Sequence, residues 1–137
     1  MTFWRLTFSD RFDYSSPSGI SIPIALSSAI DNQVVLRPPL DTGSTYCVFQ
    51  PLYAELLGLR SEQGVERRIR TATGSFTAFG HEVTLTVGQL EWQAVVYFAV
   101  SEDFPINVVG RSGFLDRLQV GIVDYEQLLY MAPYGEP

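Results

Sequence analysis

Asp41-Thr42-Gly43-Ser44 is the run that carries a reactive side chain into a constrained place. Apolar residues precede it (Val34, Val35, Leu36, Leu40) and follow it (Val48, Phe49), so the carboxylate enters a tight turn just after a strand-like segment. Most rival chemistries are removed by composition. All 9 basic residues are arginines, which excludes a P-loop lysine, a Schiff-base lysine and a Ser-Lys dyad. His81 is the single histidine and Cys47 the single cysteine, too few for an ordinary structural zinc site. Gly110-Arg111-Ser112-Gly113 begins like a nucleophile elbow, but Phe114 stands where its last glycine belongs. Carboxylate chemistry remains.

An Asp in a turn after a strand ordinarily only caps backbone N–H groups. A second motif changes its weight. Val108-Val109-Gly110-Arg111 is an apolar-apolar-Gly-Arg run, with Phe114-Leu115 just after it. In this order and at this separation, the two motifs resemble the retropepsin-like (retroviral-type) aspartic peptidases, as a single-domain bacterial-type member. The resemblance implies Asp41, Thr42 and Gly43 as the catalytic turn. It also implies Ser44, Thr73, Gly74, Ser75 and Val108 as substrate-binding residues, with no metal and no cofactor. Two carboxylates about 3 Å apart cannot both ionise and share one proton, which suits one as general base and the other as acid. Asp103-Phe104-Pro105, Asp116-Arg117-Leu118 and Asp124-Tyr125-Glu126 do not repeat the motif, so a homodimer with Asp41 from each subunit on a twofold axis is implied. The expected partner is a polypeptide substrate.

Other positions refine the resemblance. Thr71-Ala72-Thr73-Gly74-Ser75-Phe76 reads as a flap tip between arms at 65–69 and 76–83, where a pepsin-type flap carries Tyr in place of Thr71. Ser44 stands where retroviral enzymes have Ala and pepsins have a hydroxyl, which is expected to bond to the carboxylate and move the pH optimum to the acid side. Thr45 and Tyr46 fill the region where retroviral enzymes place an Asp against the Gly-Arg arginine, leaving Asp116 or Asp124 as candidate partners for Arg111. Pro38-Pro39 remove ladder donors just before Leu40, so that strand is expected to be bulged or at an edge.

The elements that must position these residues read as strands: 4–8, 20–26, 34–40, 65–71, 76–87, 90–100 and 118–123, rich in Val, Ile, Thr and aromatics. Gly88-Gln89 reads as a hairpin turn and Asp31-Asn32 as another turn. Short helices are expected at 51–57, with Pro51 first and Gly58 as the stop, and at 112–118. Leu128-Leu129-Tyr130-Met131 is a candidate intersubunit strand. The expectation is an all-β fold with one or two short helices, a retropepsin-like closed β-barrel or sandwich in a twofold dimer, with residues 1–137 as a single domain.

Apolar residues make up 46% and charged residues 18%, a globular composition. A net charge of −6 argues against a nucleic-acid partner, and the Arg67, Arg68, Arg70 cluster reads as the solvated face of a strand. The 94–100 run is too short to span a bilayer, and 1–6 lacks the apolar region of a signal peptide; no membrane partner and a cytoplasmic location are expected. Cys47 reads as a small buried hydrophobe, His81 as a surface residue, and Trp4 and Trp92 as core or interface anchors. Two rivals stand beside the peptidase: a catalytically inactive dimer of this fold serving as a binding or scaffold module, and a β-rich module with coincidental motifs.

Overall fold

β-Branched and aromatic residues at alternate positions dominate the middle of the chain, and there the strands are longest. The computed structural model describes residues 1–16 and 19–135. Its strands are β1 (Asp10–Asp13), β2 (Ile24–Ser27), β3 (Gln33–Leu36), β4 (Val48–Phe49), β5 (Val65–Thr71), β6 (Gly74–Val87), β7 (Leu90–Ala99), β8 (Leu118–Val123) and β9 (Leu128–Pro133), with helix α1 (Pro51–Leu56). Among the described residues they form a three-stranded sheet, β1-β9-β8, and a six-stranded one, β3-β2-β6-β7-β4 with β5 added to β6. The fold is all-β. Neither sheet closes on itself, so the expected closed barrel is replaced by two open sheets.

Local chemistry explains most boundaries. Gly88 takes φ +58° as the first residue of the turn between β6 and β7, as a glycine-first hairpin requires. Asp31 also has positive φ, and Ser28 and Asn32 close that turn by a backbone bond. In α1, Pro51 occupies the first turn and Gly58 follows at φ +74°. β2 starts late, at Ile24, because Pro23 offers no ladder donor. β3 ends before Pro38-Pro39 and is an edge strand, as the prolines demand.

Several expectations fail. Residues 4–8 form no strand, and Trp4 is 93% exposed, so it is no core anchor in the protomer. The strand lies further on, in the polar Asp10–Asp13 segment, where β9 supplies a partner. The helix expected at 112–118 shrinks to a 3-10 turn at Leu115–Arg117, because Gly113 adopts φ +93° and its N–H bonds to the Asp116 carboxylate. His81 is half-buried: its Nε2 bonds to the Ser61 carbonyl at 2.8 Å and its ring stands edge-on to Phe98.

β6 and β7 bury both faces, in different places. Val83, Leu85 and Val87 of β6, with Ala94, Val96 and Phe98 of β7, face the main core beside Phe49, Leu57 and Phe114. Ala78 of β6, with Tyr97 and Ala99 of β7, faces a second cluster containing Val48, Ile69 and Val108. Alternation along a strand makes this possible, since neighbouring residues point to opposite sides.

The 128–131 segment lies in the middle strand of its sheet. β1 and β8 occupy both edges of β9, and Leu129 and Met131 are fully buried. β9 therefore has no free edge to offer a second subunit, against the expectation. Removing the residues after Asp124 should unfold the chain rather than merely loosen an assembly. Leu129→Ala should cost about 2–5 kcal/mol, measured by urea denaturation; a loss below about 0.5 kcal/mol would contradict this placement.

Candidate active site

The Asp41 turn is built from backbone bonds on both sides of one short segment, Val108–Ser112. Asp41 N–H donates to the Val109 carbonyl at 2.9 Å, and Val109 N–H donates to the Pro39 carbonyl at 3.1 Å. On the far side, Val108 and Val48 exchange both of their backbone bonds. Arg111 N–H then reaches the Ser44 carbonyl, and Ser112 N–H that of Thr45. The chain on either side of the exposed carboxylate is thus tied to a common strip.

Within the turn, Gly43 N–H donates to Asp41 Oδ1 at 2.8 Å, and Ser44 N–H to the Asp41 carbonyl at 3.1 Å. These bonds orient the carboxylate as an Asx turn does. A Cβ on Gly110 would lie 2.3 Å from the Ser44 carbonyl oxygen and 2.7 Å from that of Tyr46. Only glycine allows the strip to approach so closely. Cys47 is buried against it: its Sγ accepts from Gly110 N–H and donates to the Ser112 carbonyl, both at 3.4 Å. Burial pushes its thiol up to about 11, which agrees with the reading of a buried hydrophobe.

Beside Asp41 opens a cleft of about 580 Å³. Val48, Ile69, Phe76 and Val108 of the second cluster form its apolar part. Its roof is the β5–β6 hairpin, with Ala72 and Thr73 at the turn and Thr71 opposite Gly74. Phe104 and Ile106 close one side, with the Phe104 ring 4.7 Å from that of Phe76. Gln50 holds their loop, donating from Nε2 to the Phe104 carbonyl and exchanging bonds with the Asn107 amide.

Of the residues expected to bind substrate, Ser44 and Val108 line the cleft together with Asp41 and Gly43. Thr73, Gly74 and Ser75 do not; Arg68, Ile69, Arg70, Thr71, Ala72 and Phe76 represent the hairpin there. Ser75 instead accepts a bond from Arg68 Nε on the opposite face from Ile69. Thr42 faces a separate hollow with Thr45, Arg111 and Leu115. The Ser44 hydroxyl donates to the Tyr46 carbonyl at 2.7 Å, not to Asp41, so the expected acid shift of the pH optimum loses its basis within a protomer. Neither candidate partner meets Arg111: Asp116 pairs with Arg117 and Asp124 accepts from Tyr14. Sequence reasoning missed Phe104 and Ile106, which lie in an irregular loop without periodicity, and Arg67, whose contacts are made with residues distant in sequence.

The chain matches the family described as aspartyl protease over residues 27–124, a span that holds the Asp41 turn, the hairpin and Gly110. No curated protein matches this sequence. Among solved structures, the chain is similar to a retropepsin-like aspartic protease from Rickettsia conorii, with 18% identity, 89% of this chain and 98% of that one covered, and a TM-score of 0.62. It is also similar to the EIAV protease in complex with the inhibitor HBY-793, with 20% identity, 73% and 88% covered, and a TM-score of 0.56. These likenesses establish a retropepsin fold.

Gly110→Ala should break the approach of the strip to the Asp41 turn. The expected cost is about 1–3 kcal/mol or more, the scale of overpacking against an atom that cannot step aside. Urea denaturation checks this, and a variant as stable as wild type would show that the strip can move apart.

Proposed function

Because the chain belongs to the aspartyl protease family, we propose that it is a homodimeric aspartic endopeptidase that hydrolyses peptide bonds with a water activated by an Asp41–Asp41 dyad. The observation that carries the reading is a carboxylate fixed by backbone bonds at the mouth of a partly apolar cleft roofed by a hairpin. Each chain has a single Asp-Thr-Gly run, so the second carboxylate comes from a second copy. The pair shares one proton, which belongs to neither residue alone. The ionised member takes a proton from water as its oxygen attacks the carbonyl carbon, while the protonated member gives its proton to the carbonyl oxygen. On collapse of the tetrahedral intermediate, the carboxyl that took the water proton gives it to the leaving nitrogen, while the other carboxylate takes a proton from a hydroxyl of the intermediate. The C–N bond breaks, an acid and an amine leave, and the pair again holds one proton. The nucleophile is water, so no covalent enzyme intermediate forms.

One observation favours the alternative of an inactive binding module: among the described residues no carboxylate neutralises Arg111. The prolines before Leu40 give it no support: they follow the end of β3, and Pro39 still bridges Ser21 and accepts from Val109 N–H.

Asp41→Asn keeps the shape of the turn and removes the shared proton. Cleavage of an unfolded protein substrate should fall by at least about a hundredfold, with the urea midpoint little changed. Hydrolysis at the wild-type rate would sink the catalytic assignment, and no hydrolysis by either form would favour the binding module.

Dimerisation makes a separate prediction. Activity per chain should fall on dilution, in step with dissociation seen by sedimentation. After subunit exchange, an equal mixture of wild-type and Asp41→Asn chains should show about half the activity of the wild-type chains alone. A concentration-independent activity from a monomer would refute the shared dyad.

A further inference from the structure

The hairpin over the cleft leaves its sheet at a definite rung. β5 pairs with β6 from Val65 opposite Gly80 to Thr71 opposite Gly74. β6 pairs with β7 only from Ala78 opposite Ala99 onward, with one further bond from Val100 N–H to the Thr77 carbonyl. Ala78, Phe79 and Gly80 are the rungs that both ladders share; Ala78 is the last of them on the hairpin side, and its partner on β5 is Arg67. Beyond it, residues 68–76 are held by strand pairing within the hairpin alone.

Arg67 is tied down at that rung. Its Nε donates to the Tyr97 hydroxyl and its Nη1 to the Tyr46 hydroxyl, each at 3.0 Å. The guanidinium carbon lies 5.0 Å from the Tyr46 ring centre and 5.6 Å from that of Tyr97, within cation–π range of both. The two rings meet edge-on at 5.1 Å. Tyr97 belongs to β7, on the sheet side of the rung. Tyr46 belongs to the chain leaving the Asp41 turn, lines the cleft, and its carbonyl accepts the Ser44 hydroxyl. Among the described residues no carboxylate pairs with Arg67, so these two phenols are its anchors. All three arginines are exposed, as expected of a solvated strand, but Arg67 lies on the same side of β5 as Ile69, over Tyr46 and Tyr97.

We infer that Arg67 is a positioning residue: through Tyr97 and Tyr46 it latches the root of the hairpin to the sheet and to the Asp41 turn, and so governs how far residues 68–76 open over the cleft. The inference rests on the reading of this hairpin as a flap over a peptidase site. Guanidinium donors fixed on two acceptors resist rotation of the strand about the last shared rung, which a single apolar contact would not.

Hydrogen exchange followed by mass spectrometry on the whole protein tests the latch without a substrate. Arg67→Met keeps a long stem and loses every donor. Amides of residues 68–76 should exchange about tenfold faster or more, the scale of one charge-assisted hydrogen bond, with β8 and β9 unchanged. Arg67→Lys should recover part of the protection, since an ammonium keeps a donor within reach of a phenol. Tyr97→Phe, which keeps the ring and removes one acceptor, should accelerate the same amides to a smaller degree. Unchanged exchange in both Arg67→Met and Tyr97→Phe, acceleration spread equally over β8 and β9, or hairpin amides already unprotected in wild type would each overturn the latch. With a peptide substrate, Arg67→Met should raise KM several-fold with kcat within about twofold. A KM unmoved beside an accelerated hairpin would show that the latch does not govern the cleft. Absence of hydrolysis from wild type itself would count against the peptidase reading and leave the exchange result to decide the latch.

Discussion

The contact between the Asp41 turn and the strip Val108–Ser112 is the constraint on which the rest depends. An exposed carboxylate on a turn has few contacts of its own, and its direction is set by the backbone beneath it. Here that backbone is held from before the turn, through Pro39 and Asp41, and from after it, through Ser44, Thr45 and Val48. Gly110 is the point where side-chain volume had to vanish for these bonds to form. Trp92 and Phe114 then support the strip from below: the indole N–H donates to the Gly113 carbonyl, and the rings meet edge-on. A polar turn thus acquires rigidity from an aromatic pair beneath the strip, buried Phe114 and half-buried Trp92.

The same arrangement produces the cleft. Main-core packing on one face of β6 and β7 fixes those strands, and the opposite face then offers Ala78, Tyr97 and Ala99 to a smaller apolar cluster. Val48, Ile69 and Val108 belong both to that cluster and to the wall of the cleft. The cleft is apolar on this side because that wall is the open edge of a cluster. Each large apolar side chain buried there contributes about 1.5–3 kcal/mol, so the hairpin is held against the body by hydrophobic contact as well as by its root.

Much of this was legible in the residues. The 65–71 and 118–123 segments are β5 and β8 with the same limits, and the long alternating runs became β6 and β7 within a residue or two. Alternation, a glycine-first turn and a proline-first helix are local signals, and local signals are what sequence preserves. The motif pair around Asp41 and Gly110 was legible for another reason: each demands residue types that no neighbouring packing could substitute. Pairing partners were not legible. Residues 4–8 have strand-like composition but no partner, whereas the polar segment at β1 is a strand because β9 lies beside it. The place of β9 between two neighbours, the Arg67 contacts with Tyr46 and Tyr97, and the Gln50–Asn107 exchange all join distant residues of ordinary type. Nothing in such residues taken singly announces the contact.

Parity is the unspoken rule of the β6 strand. Phe76 and Ala78 serve the cleft side, while Val83, Leu85 and Val87 serve the main core, and an odd number of steps separates the two sets. The count between 78 and 83 is thus a phase relation, as fixed as the teeth between two gears on one shaft. Adding or losing one residue there would keep the composition, the hydropathy and every motif, yet turn Phe76 outward or expel the core set. Two residues would restore the phase. Length variation in relatives of this fold should therefore gather at the Ala72-Thr73 turn, where no phase is carried, and come in even steps, if at all, along the strand.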